Sequence, residues 1–262
     1  MSKYFQLLRY EIKTIYRDGF QLYLLAFPLV LLALSVFVFP RIFDIIGTDE
    51  AALRYTTLIM IIMLISFGTF LIGAMGSFLL LEHKDERTIS TISVTPMGLS
   101  GYLRFKIIYI YVFAVISILI VLFGIKQFAA DEYIIGGVSL FESIEAWHIL
   151  TYALIAGMFA PTLALFQASF AKNKVEGFAL MKMSSMAAMI PIIMILNTFK
   201  DGLQYVLGIF PNFWSIKGLM NELYPFESSA NLPYVGYLAG GVVMSLLILV
   251  ICYRMFLKKV NY

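Results

Sequence analysis

The sequence predicts an all-α membrane protein with six transmembrane helices. Of its 262 residues, 61% are hydrophobic and 13% are charged, and the mean hydropathy of +0.89 lies outside the usual range of a soluble domain. Six segments without charged side chains are close to the 20 or so residues that a helix needs to cross a bilayer core. An even number of spans places both termini on the same side of the membrane.

Residues 1–18 are predicted to form an amphipathic helix that lies in the membrane interface. One helical face carries the apolar side chains of Tyr4, Phe5, Leu8, Ile12, Ile15 and Tyr16, and the other carries Lys3, Gln6, Arg9, Lys13 and Arg17. Aromatic side chains toward the acyl chains and cations toward the headgroups are typical of such a helix. An ordinary basic flank that fixes topology is the alternative.

The six spans are read from the gaps between charged residues, and the chain from 1 to 262 is predicted to be one transmembrane domain. The spans are 20–40, 56–81, 104–125, 147–170, 177–198 and 233–255. The first is longer than the apolar core of a signal peptide and no cleavage site follows it, so we expect it to be retained.

Basic residues set the predicted orientation. With cytoplasmic termini, 14 of the 19 Lys and Arg residues lie inside and five lie outside, namely Arg41, Arg54, Lys126, Lys200 and Lys217. This bias follows the positive-inside rule and predicts a multi-pass cell-membrane protein with both termini in the cytoplasm. The net charge of +3 thus reflects topology, and no separate basic patch indicates a nucleic acid partner.

The second span carries small residues at intervals of three or four positions. These are Ser66, Thr69, Gly73, Gly76 and Ser77. Small residues let helix backbones approach closely in lipid, so helix packing is the first interpretation of this face. Lining a substrate path is the second.

The connection between spans five and six is irregular. The apolar run from Gly202 to Phe210 is too short to cross a bilayer, and we expect Pro211 to end it. Such backbone at membrane depth must be buried in protein or line a cavity. We therefore expect a re-entrant or interfacial helical hairpin on the outer side, with Asn197, Asn212, Trp214 and Asn221 at its level.

Residues 82–97, EHKDERTISTISVTPM, hold the densest charge cluster of the chain. Burying five charges in lipid would cost about 15 kcal/mol, so this segment must stay in the cytoplasm. Ile89, Ile92 and Val94 gather on one side, which predicts a short exposed amphipathic helix. Thr95 is the expected N-cap, and Pro96 the first residue, of the helix that becomes span three.

These residues resemble the first cytoplasmic loop of type-2 ATP-binding-cassette (ABC-2) transporter permeases. In that loop, acidic residues precede Gly-Thr, a small apolar stretch, Thr-Pro and a later Lys; Thr88, the Thr95-Pro96 pair and Lys106 take the corresponding places. Arg87 stands where Gly is usual. The segments YEIKTIYRDGFQLYLLAFPLV, KNKVEGFALMK and IFPNFW are most similar to the subgroup named for fluoroquinolone and other drug export.

The resemblance implies a half-transporter that pairs with an identical or paralogous permease and docks two cytoplasmic ATPase subunits. The first loop would be the coupling helix, with Glu82, Asp85, Glu86, Arg87, Thr88 and Thr91 meeting the ATPase. A smaller second contact would involve Lys172, Lys174 and Glu176. ATP and Mg would bind to the partner ATPase.

The chain itself is not expected to be an enzyme. It has no G-x-x-x-x-G-K-[ST] phosphate loop, no H-E-x-x-H pattern and one cysteine, so we expect no catalytic residue, cofactor or metal on it. Among the uncharged runs only His148 offers a titratable group of the kind that ion-coupled transport uses, and we interpret it as interfacial.

We therefore expect an ATP-driven ABC-2 exporter of a lipophilic or amphipathic, drug-like small molecule. An ATP-independent secondary transporter or channel is one alternative. An ABC-2 exporter of a peptide, bacteriocin or lipid-linked cargo is another.

Overall fold

The computed structural model describes residues 3–86, 88–95, 97–135, 138–142, 144–199, 201–223 and 230–260. Within these residues, six helical segments are long and apolar enough to cross a membrane: Gly19–Ile46, Ala51–Asp85, Gly98–Phe128, Ala146–Phe170, Lys174–Ile195 and Tyr234–Lys259. The predicted number of spans is therefore confirmed, and the chain is a multi-pass membrane protein.

Twelve α-helices make up most of the described structure. They are α1 Lys3–Arg17, α2 Gly19–Phe37, α3 Phe39–Ile46, α4 Glu50–Ile62, α5 Gly68–Asp85, α6 Thr88–Ser93, α7 Gly98–Phe128, α8 Ala146–Gly157, α9 Phe159–Phe170, α10 Lys174–Ala188, α11 Pro211–Leu223 and α12 Tyr234–Val260. A π-helical turn, Met63–Phe67, joins α4 to α5, and 3-10 segments occur at Ala130–Glu132, Ile190–Ile195, Asn197–Phe199 and Gly202–Ile209.

One small hairpin departs from the all-helical prediction. Strand β1, Ile134–Ile135, pairs antiparallel with β2, Val138–Ser139, in the connection between α7 and α8. These are the only strands in the part of the chain that the structure describes. With two residues in each strand, the hairpin leaves the helical character of the fold unchanged.

Several spans are interrupted helices, and the interruptions have local causes. Asp18 starts α2 by accepting hydrogen bonds from the backbone N–H groups of Phe20 (3.0 Å) and Gln21 (3.3 Å). Pro40 lies in the first turn of α3, where its missing N–H costs little. Likewise, α10 ends at Ala188, and Pro191 lies at the start of the 3-10 segment that completes span five.

Helix α5 is the centre of the bundle. It packs against α9, α7, α2 and α10. The spans that contain α5 and α9 are the two most buried, whereas in the first, fifth and sixth spans most residues are only partly buried or exposed. Those exposed faces are the surfaces available to lipid or to another subunit.

The bundle has two distinct ends. At the α6 end, named after helix α6, lie the last turn of α5 and the first turns of α7 and α10, together with the last turns of α9 and α12. At the opposite end, the hairpin end, Lys126 of α7 donates hydrogen bonds to the carbonyls of Phe141 (3.3 Å) and Ile144 (2.5 Å). The Tyr133 hydroxyl there donates to the Ser35 carbonyl.

The predicted start of the helix that becomes span three, with Thr95 as its N-cap, is wrong. Helix α7 begins at Gly98 with Met97 as its N-cap residue, and the Thr95 hydroxyl instead donates backward to the Ile92 carbonyl (2.7 Å). Thr95 thus closes α6. Gly98 has φ +64°, a left-handed conformation that favours glycine and turns the chain between the two helices. Pro96 lies outside the described residues.

The connection between spans five and six is a 3-10 segment followed by α11. Pro211 follows the 3-10 segment Gly202–Ile209 and is also the first residue of α11. Thirteen residues of α-helix measure about 20 Å, too short to cross a bilayer, yet Phe213 and Ile216 are fully buried against neighbouring helices. Lys217, counted above as an outer flank, is only 4% exposed, and burial lowers its pKa to about 8.

Candidate functional site: the predicted coupling surface

The residues predicted for the first ATPase contact lie on two different helices. Glu82 and Asp85 belong to the last turns of α5, which continues the second span, and Glu86 follows directly as its C-cap residue. Thr88 and Thr91 belong to α6. Asp85, Glu86 and Thr91 are exposed, while Arg87 lies outside the described residues.

A histidine that the sequence analysis did not select connects these two helices. His83 Nδ1 lies 2.8 Å from the Thr88 hydroxyl oxygen, and its ring meets the Tyr102 ring of α7 edge to face at 5.4 Å between centroids. One imidazole therefore contacts α5, α6 and α7 together. Because α6 has only six residues, such contacts fix its position more than its own backbone hydrogen bonds do.

The second predicted contact lies against the first. The backbone N–H of Lys174 donates to Asp85 Oδ2 (3.1 Å), and its ammonium lies 3.7 Å from Glu82 Oε1. Asn173 caps α10 by accepting from the Glu176 N–H (2.9 Å), and Glu176 accepts from the Lys172 N–H (2.8 Å). The two segments, almost 90 residues apart in sequence, thus form a single surface, which we call the coupling surface. Its described members are Glu82, Asp85, Glu86, Thr88, Thr91, Lys172, Lys174 and Glu176.

A groove of about 530 Å³ runs between α1 and α6 beside this surface. Glu86, Thr88 and Thr91 form one wall, and Tyr10 and Glu11 belong to the other. Most of its lining is apolar. The groove therefore gives the coupling surface a concave apolar part next to its charged rim, as protein interfaces commonly have.

A fully buried ion pair joins α1 to the beginning of α7. The Lys106 ammonium lies 2.5 Å from Glu11 Oε2, and both side chains are 1% exposed. The Lys106 ammonium also lies 5.5 Å from the centroid of the Tyr102 ring. A buried charge needs a partner, so each of the two residues holds the other in place. Lys106 matches the later Lys of the ABC-2 loop in sequence, whereas Glu11 was not among the predicted site residues.

The small residues of span two face other helices. A Cβ atom built on Gly73 would lie 2.8 Å from the Ala160 carbonyl oxygen of α9, and one on Gly76 would overlap Ile110 of α7. Ser66 and Thr69 are fully buried. This geometry is close helix packing of the small-residue type. Asn197 lies in a 3-10 segment, but its side chain lies outside the described structure.

The buried side-chain amide of Asn212 connects α11 with the π-helical turn of span two and with the end of α10. Asn212, at the start of α11, donates through Nδ2 to the Ser66 hydroxyl (2.9 Å) in the π-helical turn and to the Ala188 carbonyl (2.8 Å) at the end of α10. Asn212 is fully buried. A π-helical turn inside an α-helix frequently marks a functional position. This junction is therefore a fixed point between spans two and five and the short helix α11.

A partly exposed polar pair, His148 and Glu222, lies at the hairpin end. His148 Nδ1 lies 3.3 Å from Glu222 Oε2, and both side chains are partly exposed. The pair links α8 to α11 near the protein surface. Among the described residues, no group of three or more His, Cys, Asp or Glu side chains is arranged to hold a metal ion.

Comparison with known proteins identifies the family. A sequence model of the family described as fluoroquinolones export permease protein Rv2686c-like matches residues 11–253. Two proteins of Mycobacterium tuberculosis are named fluoroquinolones export permease protein: Rv2686c of strain H37Rv and MT2760 of strain CDC 1551. Each is 24% identical to this chain over 261 residues, covering 96% of this chain and 92% of the relative. The chain therefore belongs to the Rv2686c-like fluoroquinolone export permease family, a subgroup of the ABC-2 type permeases.

Proposed function

We propose that this chain is the transmembrane permease subunit of an ATP-driven ABC-2 exporter that moves a lipophilic or amphipathic, drug-like molecule outward. The observation that carries the proposal is the coupling surface, in which the two loops predicted to face the ATPase are joined through Lys174 to Asp85 and Glu82. Membership of an export permease family supports it.

In this proposal α6 is the coupling helix. His83 and Thr88 connect it to α5, so a displacement of α6 by a closing ATPase would act directly on the end of the second span. Helix α5 is in tight contact with α9 at Gly73, and α9 in turn packs against α12. Because tightly packed helices move as rigid bodies, the displacement would reach spans four and six.

Roles are also proposed for helix α1, for the segment 202–223 and for the small-residue face of span two. Helix α1 is the interfacial helix, because Phe5, Ile12 and Tyr16 expose apolar side chains outward while Ile15 and Glu11 face the bundle. The segment 202–223 is the re-entrant hairpin. The small-residue face of span two, including Ser66, Thr69, Gly73 and Gly76, and the position Asn197 are the places at which a substrate path would open.

The complete transporter would contain two permeases, identical or paralogous, and two ABC ATPase subunits that bind ATP and Mg. Spans one, five and six have the smallest buried share within the single chain, so a second permease would cover part of their exposed faces and lipid the rest. Both termini would lie in the cytoplasm, with the α6 end on the cytoplasmic side of the cell membrane. No nucleic acid is involved.

The test is transport into inverted membrane vesicles that contain this chain and a candidate ABC ATPase from the same organism. We expect accumulation of a fluoroquinolone that requires ATP and is lost when the phosphate-loop Lys of the ATPase is replaced. Accumulation by the permease alone, driven by an ion gradient, would contradict the proposal. Movement of a peptide or a lipid-linked probe but not of a fluoroquinolone would keep the ATP-driven mechanism and overturn the drug-like cargo.

A further inference from the structure

A pocket of about 550 Å³ at the α6 end is lined by four lysines, of which only Lys172 belongs to the coupling surface. Lys84 comes from α5, Lys172 follows α9, and Lys258 and Lys259 end α12. No acidic side chain lines this pocket within the described part of the chain. Three separate elements therefore bring four positive charges together around one opening. Lys84 and Lys259 repel each other, and the nearby carboxylate of Glu176 offsets only part of the positive charge, so an anion in the opening would be attracted.

Two of the lysines are held in defined positions. The Lys84 ammonium donates to the carbonyls of Ala168 and Ala171 (3.2 Å to the latter), at the C-terminal end of α9. The Lys259 ammonium lies 4.1 Å from the centroid of the Phe170 ring, within the range of a cation–π contact. The lysine pocket is thus partly preorganised rather than a set of freely moving side chains.

The exposed surface next to the lysine pocket, along the axes of α9 and α12 and away from the α6 end, is apolar. On α12, Leu247 (49% exposed) and Ile251 (47%) lie on the same helical stripe as Lys258, about 16 and 10 Å from it along the axis. On α9, Phe166 and Phe170 are also exposed, with ring centroids 4.9 Å apart. Cations thus stand at the edge of an exposed apolar strip.

We propose that the lysine pocket binds the phosphate headgroup of an anionic phospholipid of the inner leaflet, with an acyl chain along the strip formed by Leu247, Ile251 and Phe166. The combination favours a lipid over free phosphate, because a soluble anion would use the lysines alone and leave the strip without a role. Basic pockets between transmembrane helices bind such headgroups through this chemistry.

Native mass spectrometry of the full chain in detergent, titrated with phosphatidylglycerol or with phosphatidylcholine of the same acyl chains, tests the proposal. Each lysine near a lipid phosphate contributes about fivefold in affinity, so we expect K258Q/K259Q to weaken phosphatidylglycerol binding about 25-fold. Phosphatidylcholine binding should stay unchanged, which also shows that the variant is folded. The variant K258R/K259R should keep the wild-type preference.

The matched control is R104Q/K182Q, which removes two exposed basic residues of α7 and α10. An equal loss in this control would show diffuse attraction and overturn the proposal, as would unchanged phosphatidylglycerol binding in K258Q/K259Q. Inorganic phosphate and glycerol 3-phosphate are added as competitors. Displacement of the lipid by either at micromolar concentration would overturn the lipid in favour of a soluble phosphate ligand.

Discussion

Glu11 and Lys106 form the single contact whose loss should cost the most. Both side chains are 1% exposed, so removing one partner leaves the other charge buried without compensation. Such losses cost about 3–5 kcal/mol, whereas replacing both partners by well-packed hydrophobic residues is often close to neutral. The pair thus specifies how α1 docks against α7 more than it adds net stability.

We predict that Lys106→Met lowers the free energy of unfolding by about 3–5 kcal/mol. Thermal or denaturant unfolding of the purified chain in detergent measures the change. Arg104→Met is the matched control, since Arg104 is exposed on the same helix, and it should change stability by less than about 1 kcal/mol. Equal effects of the two substitutions would show that the pair is not important for stability.

The double variant Glu11→Gln/Lys106→Met separates structure from mechanism. It should regain at least about 2 kcal/mol relative to Lys106→Met, because no buried charge remains. In an ATP-driven exporter it should also retain transport. In an ion-coupled transporter that used this pair, transport would be lost although stability returned.

The burial of Glu11 could have been predicted from its position on helix α1, although the overall amphipathic pattern of that helix did not point to it. Glu11 lies four residues from Leu7 and from Ile15, so it belongs to the stripe that faces the bundle. An acidic side chain on such a stripe predicts a buried basic partner. Which basic residue is the partner could not be read from the sequence, because it comes from a helix almost 100 positions away.

At the scale of elements, the contact between α5 and α9 depends on the absence of a side chain at Gly73. The Cβ of an alanine there would lie 2.8 Å from the Ala160 carbonyl oxygen and 3.2 Å from its Cα, and backbone atoms cannot move aside cheaply. Overpacking of this kind costs about 1–3 kcal/mol, more than the gain of about 1 kcal/mol in helix propensity.

We predict that Gly73→Ala destabilises the chain by about 1–2 kcal/mol and lowers transport through the altered α5–α9 contact. Gly19→Ala is the control, because Gly19 in the first turn of α2 has open space around it. Unfolding in detergent compares the two variants. A Gly73→Ala variant that is as stable as Gly19→Ala would contradict the packing argument.

The membrane-spanning helices were largely predictable from the sequence, but their exact ends and the contacts between them were not. Uncharged runs of sufficient length locate all six spans because burying charge in lipid is costly. The start of α7 was predicted wrongly, because Thr95 closes α6 and the turn continues to Gly98. The contact of Lys174 with Asp85 could not be predicted either, because hydropathy contains no information about which loops lie next to each other.

At the scale of the whole molecule, the exposed coupling surface is the part that the proposed ATPase would cover. Its rim carries Asp85 and Glu86, and Thr91 stands exposed on α6. Glu86 also lines the groove between α1 and α6. An ATPase that fits this surface would present basic side chains to the rim and an apolar projection to the groove.

We predict that Glu86→Lys weakens ATPase docking at least about tenfold and lowers substrate-stimulated ATP hydrolysis in proportion, because it opposes the basic side chains of the partner with a like charge. Co-purification with a candidate ABC ATPase partner, and hydrolysis in proteoliposomes, measure the two effects. Glu86 is exposed, so the stability of the isolated permease should not change. Glu132→Lys, the same charge reversal at an exposed position of the hairpin end, should leave docking and hydrolysis at wild-type levels. If both variants dock normally, α6 does not receive the ATPase; if both fail, the charge reversal acts at long range and the coupling surface has no special role.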